Sequence, residues 1–504
     1  MGVLTFILSL HSLSFVFLFI IFYIILSKFR RGRCFSGHGP PTYPVIGCLI
    51  PFYRNRNSLL DWYTDLLAQS PTNTIVVQRL GARRTIVTAN PHNVEYMLKI
   101  NFNNFPKGKP FTEILGDFLG HGIFNVDGEL WRSQRRFASH EFSVRSSKEF
   151  VMQTLEEEVD KRLLPVLESL SMQNQVVDLQ ELLGRFSFNV ICKVTSGITK
   201  CCLDPSEPIS PLARAFDVAS EISAMRGAAP LFIIWKMKRW LGIGSERRLR
   251  EAVGAIQTHV MEMIHEQKKM NEREETCSED LLSRLISAGH EEEVIRDMVI
   301  SFMMAGKDTT SAAMTWFFWL LSHHPAIEQQ VVEEIELKSE GSLEYELLKK
   351  LKLLKACLCE SMRLYPPVAW DSKHALVDDV LPDGTLVKAG DRVTYFPYGM
   401  GRMEALWGKD RFEFRPHRWF NEPDQKGGAM KKIDLFKFPV FQAGPRICLG
   451  KEMAFIQMKY VAASILRRFK IKPIIPDKPI FVPRLTAHMA GGLKVLVSKR
   501  EKLT

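Results

Sequence analysis

Ten residues near the C-terminal end constrain this chain more than any others: Phe441-Gln442-Ala443-Gly444-Pro445-Arg446-Ile447-Cys448-Leu449-Gly450. Glycines and a proline make this a tight loop, not a regular element. Residues 451–469 follow at once with an amphipathic helical pattern. Cys448 therefore stands just before a helix N-terminus. Amides and the helix dipole lower a thiol pKa at such a place, which suits a thiolate used as a ligand better than a thiol used for packing.

The rest of the chain reads as mainly α with a minor β-sheet. Helical patterns cover 148–170, 246–271, 294–322, 343–364 and 451–469, and strand-like pieces cover 74–79, 83–89, 392–396 and 493–498. The polar stretch 268–280 reads as an exposed loop. With 46% hydrophobic residues, the 504-residue chain can bury a sizeable core. Its nine scattered cysteines fit a reducing compartment better than a disulfide framework. A net charge of +11 suits an anionic membrane or an acidic protein partner. Nucleic acid is the weaker reading, because zinc-finger spacing and aromatic RNA-binding signatures are missing.

Residues 3–26 are almost wholly apolar. As a helix they would span about 36 Å, enough to cross a hydrocarbon core of about 30 Å with some tilt. Lys28, Arg30, Arg31 and Arg33 follow, so the positive-inside rule leaves the body in the cytosol. The expected organisation is a transmembrane anchor over 1–27, a basic and proline-rich linker over 28–50, and a catalytic body over 51–504. The run 298–321 could pass for a second span, but Lys307 and Asp308 lie at its middle. Each would cost roughly 2.5–3.5 kcal/mol in a bilayer, so a buried core helix is expected there.

Three further strings stand out. Gly306-Lys307-Asp308-Thr309-Thr310 interrupts that buried helix. Glycine weakens a helix interior, and threonine can bond back to the i−4 carbonyl and bend it. A local widening with an acid and an alcohol beside it suits a proton relay, although a kinked core helix fits this segment as well. Glu360 and Arg363 are helical i, i+3 neighbours that can pair, and Arg418 supplies a second guanidinium further on. Trp131 and Arg135 share one helical face, either as an anion clamp or as part of a solvated basic patch.

Taken together, these motifs resemble the cytochromes P-450, the haem-thiolate monooxygenases. The match is Phe-x-x-Gly-x-Arg-x-Cys-x-Gly at 441–450, Ala-Gly-x-Asp-Thr-Thr at 305–310, Glu-x-x-Arg at 360–363 and Trp-x-x-x-Arg at 131–135. The resemblance implies the P-450 fold and a haem b whose iron takes Cys448 as axial thiolate. It implies that Arg446, Trp131 and Arg135 hold the haem propionates. Asp308 and Thr309 would deliver protons to dioxygen, and Glu360, Arg363 and Arg418 would form a structural network behind the cysteine loop. The string around Arg418 departs from the family, with His417 where Glu is common and Trp419 where Phe is common.

A closer resemblance is to the plant fatty-acid ω-hydroxylase clan, carried by Phe105-Pro106-Lys107-Gly108, the 118–125 and 138–142 segments and Phe438-Pro439-Val440. Within it, Val368–His374 and Leu485–Gly492 resemble the jasmonoyl-isoleucine 12-hydroxylase branch, and both segments are expected to flank the pocket. The activity implied is oxygen insertion from O2 at a terminal carbon of a small lipophilic substrate. Electrons would come from NADPH through an NADPH–cytochrome reductase. The implied location is the endoplasmic reticulum membrane, with one span in contact with membrane lipid. Fatty-acid ω-hydroxylation, or C-26 hydroxylation of a sterol side chain in steroid or steroidal-alkaloid biosynthesis, are the alternatives. An acidic substrate would want a cation in the pocket, and Arg226, Lys107 and Lys109 are the candidates.

Overall fold

The computed structural model describes residues 39–142, 145–197, 202–229, 231–272, 280–338, 343–421, 428–474 and 478–501. The apolar run, the basic cluster after it and residues 273–279 of the polar stretch lie outside these residues. The helix Gly244–Glu272 bears out the helical pattern over 246–271 and takes in residues 268–272 of the stretch also read as loop.

Strands β1 (Thr74–Val77) and β2 (Thr85–Thr88) form an antiparallel hairpin. Helices α1 (Gly108–Leu119), α2 (Gly128–Glu141), α3 (Leu179–Ser196) and α4 (Pro211–Ala228) follow. Then come α5 (Glu292–Ser322) and α6 (Lys352–Leu364). Strands β3 (Asp371–His374) and β4 (Arg392–Tyr395) precede α7 (Lys451–Arg468). The main sheet has the order β1-β2-β4-β3, with β2 and β4 parallel and β4 and β3 antiparallel. Helices dominate and sheets are small, as the periodicity predicts.

Helix α5 is the axis of the body. It is buried along most of its length and packs most extensively against α3. Among the described residues no helix is long and apolar enough to cross a membrane, so the 298–321 run is a core helix. It ends at Ser322, just before Pro325 opens the next helix. The expected interruption at Gly306 is absent, because the helix runs through it. A β-carbon at Gly306 would come within 2.6 Å of Ile191 on α3. The glycine thus permits close helix contact rather than a widening.

The pattern over 343–364 predicts one helix, but two form, Tyr345–Lys350 and α6, with Leu351 leaving helical dihedrals between them. The carboxylate of Glu334, on the helix Pro325–Lys338, accepts from the backbone N–H groups of Lys352, Leu353 and Leu354 at 2.8–3.0 Å. A side chain from another helix caps α6, and such a cap has no local sequence signal.

Candidate active site

One cavity of about 500 Å³ is lined by Cys448, Arg446, Trp131, Arg135 and Thr309 together. Most of its other walls are apolar. Cys448 is exposed to this cavity, and its N–H donates to Phe441 O at 2.8 Å, which closes the loop. Gly444 has φ +64°, and a β-carbon there would meet Leu98 O at 2.0 Å, so no other residue fits. Gln442 also takes a positive φ of 61°. Its amide donates to Asp371 at 3.0 Å, which anchors the strained turn.

The sulfur does not have the lowered pKa expected from its place before α7. Burial pushes the thiol up and outweighs the Gly450 N–H, Arg135 and Lys451, which pull the other way. Helix-end amides alone do not hold a thiolate here. A bound metal cation inverts this balance, because a coordinating thiol is deprotonated outright.

Trp131 and Arg135 lie one turn apart on α2. The Arg446 guanidinium lies 4.4 Å above the Trp131 ring and donates through Nη2 to Asp127 at 2.6 Å. Its Nε is buried without a partner. Arg135 has no acid partner among the described residues. Unused N–H donors beside an open thiol fit a porphyrin with carboxylate arms, so the donor set matches a haem.

Thr309 lines the cavity and donates to Ala305 O at 2.7 Å, the expected back-bond. Asp308 does not line it. Successive helical residues point about 100° apart, and Asp308 pairs with the buried Lys307, which also pairs with the partly exposed Asp217 of α4. The two carboxylates push the Lys307 pKa up against the effect of burial. Of the acid–alcohol pair, only the alcohol is on the cavity in this conformation.

The predicted Glu360 network is present in full. Arg363 donates Nε and Nη2 to the two Glu360 oxygens at 2.9 and 2.8 Å, and Arg418 donates Nε at 2.8 Å. Trp419 Nε1 donates to Glu360 at 3.0 Å. A phenylalanine at 419 could not make this bond, so the departure from the family string adds a donor.

The cations expected to meet an acidic substrate are otherwise engaged. Arg226 is buried, donating Nε to Glu246 at 3.1 Å and pairing with Asp117 at 2.8 Å. Lys107 lines the cavity but pairs with Asp371 at 2.7 Å. Lys109 is exposed and off the cavity. Three arginines that the sequence reading passed over, Arg79, Arg83 and Arg392, do line it.

The chain matches the family model "Cytochrome P450" over residues 38–490. It is 56% identical to "Cytochrome P450 94B1" of Arabidopsis thaliana, covering 96% of each chain. It is 55% identical to "Cytochrome P450 94B3" of the same plant, covering 99% of each. Against "Cytochrome P450 94A1" of Vicia sativa it is 45% identical, over 92% of this chain and 91% of the relative. The solved haem domain of "cytochrome P450DA" superposes with a TM-score of 0.77 at 21% identity, covering 92% of this chain and 97% of that one, which shows a shared fold. The chain belongs to the cytochrome P-450 family and is a haem-thiolate monooxygenase that draws its electrons from NADPH through a reductase.

Proposed function

We propose that this monooxygenase hydroxylates jasmonoyl-isoleucine at its terminal, 12-position carbon. The observation that carries the reading is where two segments lie. Residues 368–374 and 485–492 hold the likeness to the jasmonoyl-isoleucine branch, and both contribute walls to the cavity that holds Cys448. Trp370 and Leu485 are among those walls, so segments that carry the likeness lie where a substrate would be met.

In this reading the Cys448 thiolate would hold the haem iron. Trp131, Arg135 and Arg446 would hold the haem carboxylates, and the haem, when bound, would supply the activation of dioxygen. The apolar walls exclude water and orient the substrate's terminal carbon. Thr309 holds a proton at Oγ1 on the cavity surface. Asp308, next to it in the chain, is an ion-paired carboxylate; it would have to leave Lys307 and take up a proton from solvent before passing one to Thr309. Glu360, Arg363 and Arg418 position the chain behind the cysteine loop.

We also place the protein on the endoplasmic reticulum membrane, anchored through residues 1–27, with the catalytic body in the cytosol. The exposed apolar side chains Ile233, Ile234, Met237 and Trp240 on the helix Phe232–Leu241 support contact with lipid.

The test feeds jasmonoyl-isoleucine, dodecanoic acid and a sterol separately to microsomes carrying the full chain, its reductase and NADPH. The expected product is 12-hydroxy-jasmonoyl-isoleucine, from enzyme that stays in the carbonate-washed pellet. Turnover of the sterol alone, or release of the chain by carbonate, overturns the corresponding part. In the same preparation Cys448→Ala is expected to abolish the thiolate-type carbon monoxide band, and a retained band would refute the ligand assignment.

A further inference from the structure

Arg79, Arg83 and Arg392 line the cavity, yet none has an acidic partner among the described residues. Arg79 Nη1 and Arg392 Nε are buried with no hydrogen-bond partner. The neighbouring acids are already taken. Asp391 pairs with Arg84, and Glu113, at the adjoining mouth shared by Arg83 and Arg392, pairs with Lys236 at 3.1 Å. Among the described residues, aromatic faces compensate two of the three. Arg79 lies 3.9 Å over Phe52, and both Arg79 and Arg392 approach Phe232.

The arrangement is electrostatically unbalanced. Burial first, then the like charges of Arg79 and Arg83, push the Arg392 pKa down to about 10, and burial pushes Arg79 down as well. Both remain charged at neutral pH. Guanidinium groups kept partly out of water without an anion are costly unless a ligand supplies one.

The thiol and the cluster come from different parts of the fold. Cys448 lies on the loop before α7, whereas the arginines lie on the β1–β2 hairpin and on β4, and both sets line one continuous cavity. That cavity therefore has a thiol and a cationic cluster on separate elements of its wall. Parallel pairing of β2 with β4 sets Arg392 opposite Thr85.

We propose that Arg79, Arg83 and Arg392 bind the carboxylate of a lipophilic acid, whose opposite end then lies toward Cys448. This rests on the reading of the cavity as the substrate site and narrows its substrate class. Jasmonoyl-isoleucine and fatty acids carry the required carboxylate, whereas a neutral sterol does not. Holding the acid group at the cluster, on elements other than the thiol's, also fits oxidation at a terminal carbon.

The test is spectral titration of the full-length holoenzyme with dodecanoic acid and with methyl dodecanoate, then with jasmonoyl-isoleucine and its methyl ester. Wild type is expected to bind each acid at least about tenfold more tightly than its ester, as a charge-assisted contact requires. Arg79→Gln with Arg392→Gln is expected to remove that preference while leaving ester binding unchanged. Arg83→Gln, at an exposed position, is expected to weaken acid binding less. Equal binding of acid and ester by wild type overturns the proposal, even if the protein is a working monooxygenase. So does equal weakening of both in the variants, or loss of the haem band, which would assign these arginines to the haem carboxylates. Acid preference with dodecanoic acid but no binding of jasmonoyl-isoleucine upholds the carboxylate site and refutes the jasmonoyl substrate. If the double variant fails to fold, the wild-type comparison and Arg83→Gln still decide the matter.

Discussion

Arg363 and Arg79 face the same difficulty, a guanidinium drawn partly or wholly out of water, and they meet it differently. Arg363 is fully buried, and all its nitrogens are used by Glu360 or by backbone carbonyls at 401, 411 and 413. Arg418 shares the same carboxylate. Arg79 rests on an aromatic ring, carries an unpartnered nitrogen and borders a cavity. Charge that builds the fold is satisfied within the chain. Charge meant for a ligand is left open on the wall of the cavity that would receive it.

Three substitutions bear on this contrast. The largest effect is expected from Glu360→Gln, which leaves two guanidinium groups beside a neutral amide. Removing one partner of a buried ion pair costs roughly 3–5 kcal/mol, read as a fall in Tm and a smaller folded, haem-loaded fraction. An unchanged Tm would mean that the network is incidental. Trp419→Phe keeps most of the ring packing and removes one N–H donor to a charged acceptor. A loss of about 1.5–3 kcal/mol is expected, measured by denaturant unfolding, and a neutral result would make the indole contact dispensable. The smallest effect is expected from Arg79→Gln. It loses a cation–π contact but relieves a half-buried charge, so stability should move by less than about 1 kcal/mol. A loss on the scale of Glu360→Gln would show that Arg79 is structural and erase the distinction.

The motifs of the candidate site were legible because each is a short string whose geometry is largely local. The Cys448 loop, the Trp131–Arg135 turn and the Glu360–Arg363 pair fall where spacing puts them. The relay acid was not legible in the same way. Asp308 adjoins Thr309 in sequence, but helical rotation and the Lys307–Asp217 cluster turn it off the cavity. The choice of pocket cations failed for a related reason. Lys107 and Arg226 look free in the sequence, yet their partners Asp371 and Glu246 come from distant elements.

The sequence by itself determined the helical body, the cysteine loop and, through the resemblance these carry, the oxygen chemistry. Only the tertiary structure decided which charges are spent and which are left over. Residue 392 is far from 79 and 83 along the chain, and the parallel pairing of β2 with β4 brings them to one cavity wall. Sequence spacing predicts contacts within one helix or hairpin. Whether a guanidinium finds a carboxylate depends on distance through space, which the packing of remote elements sets.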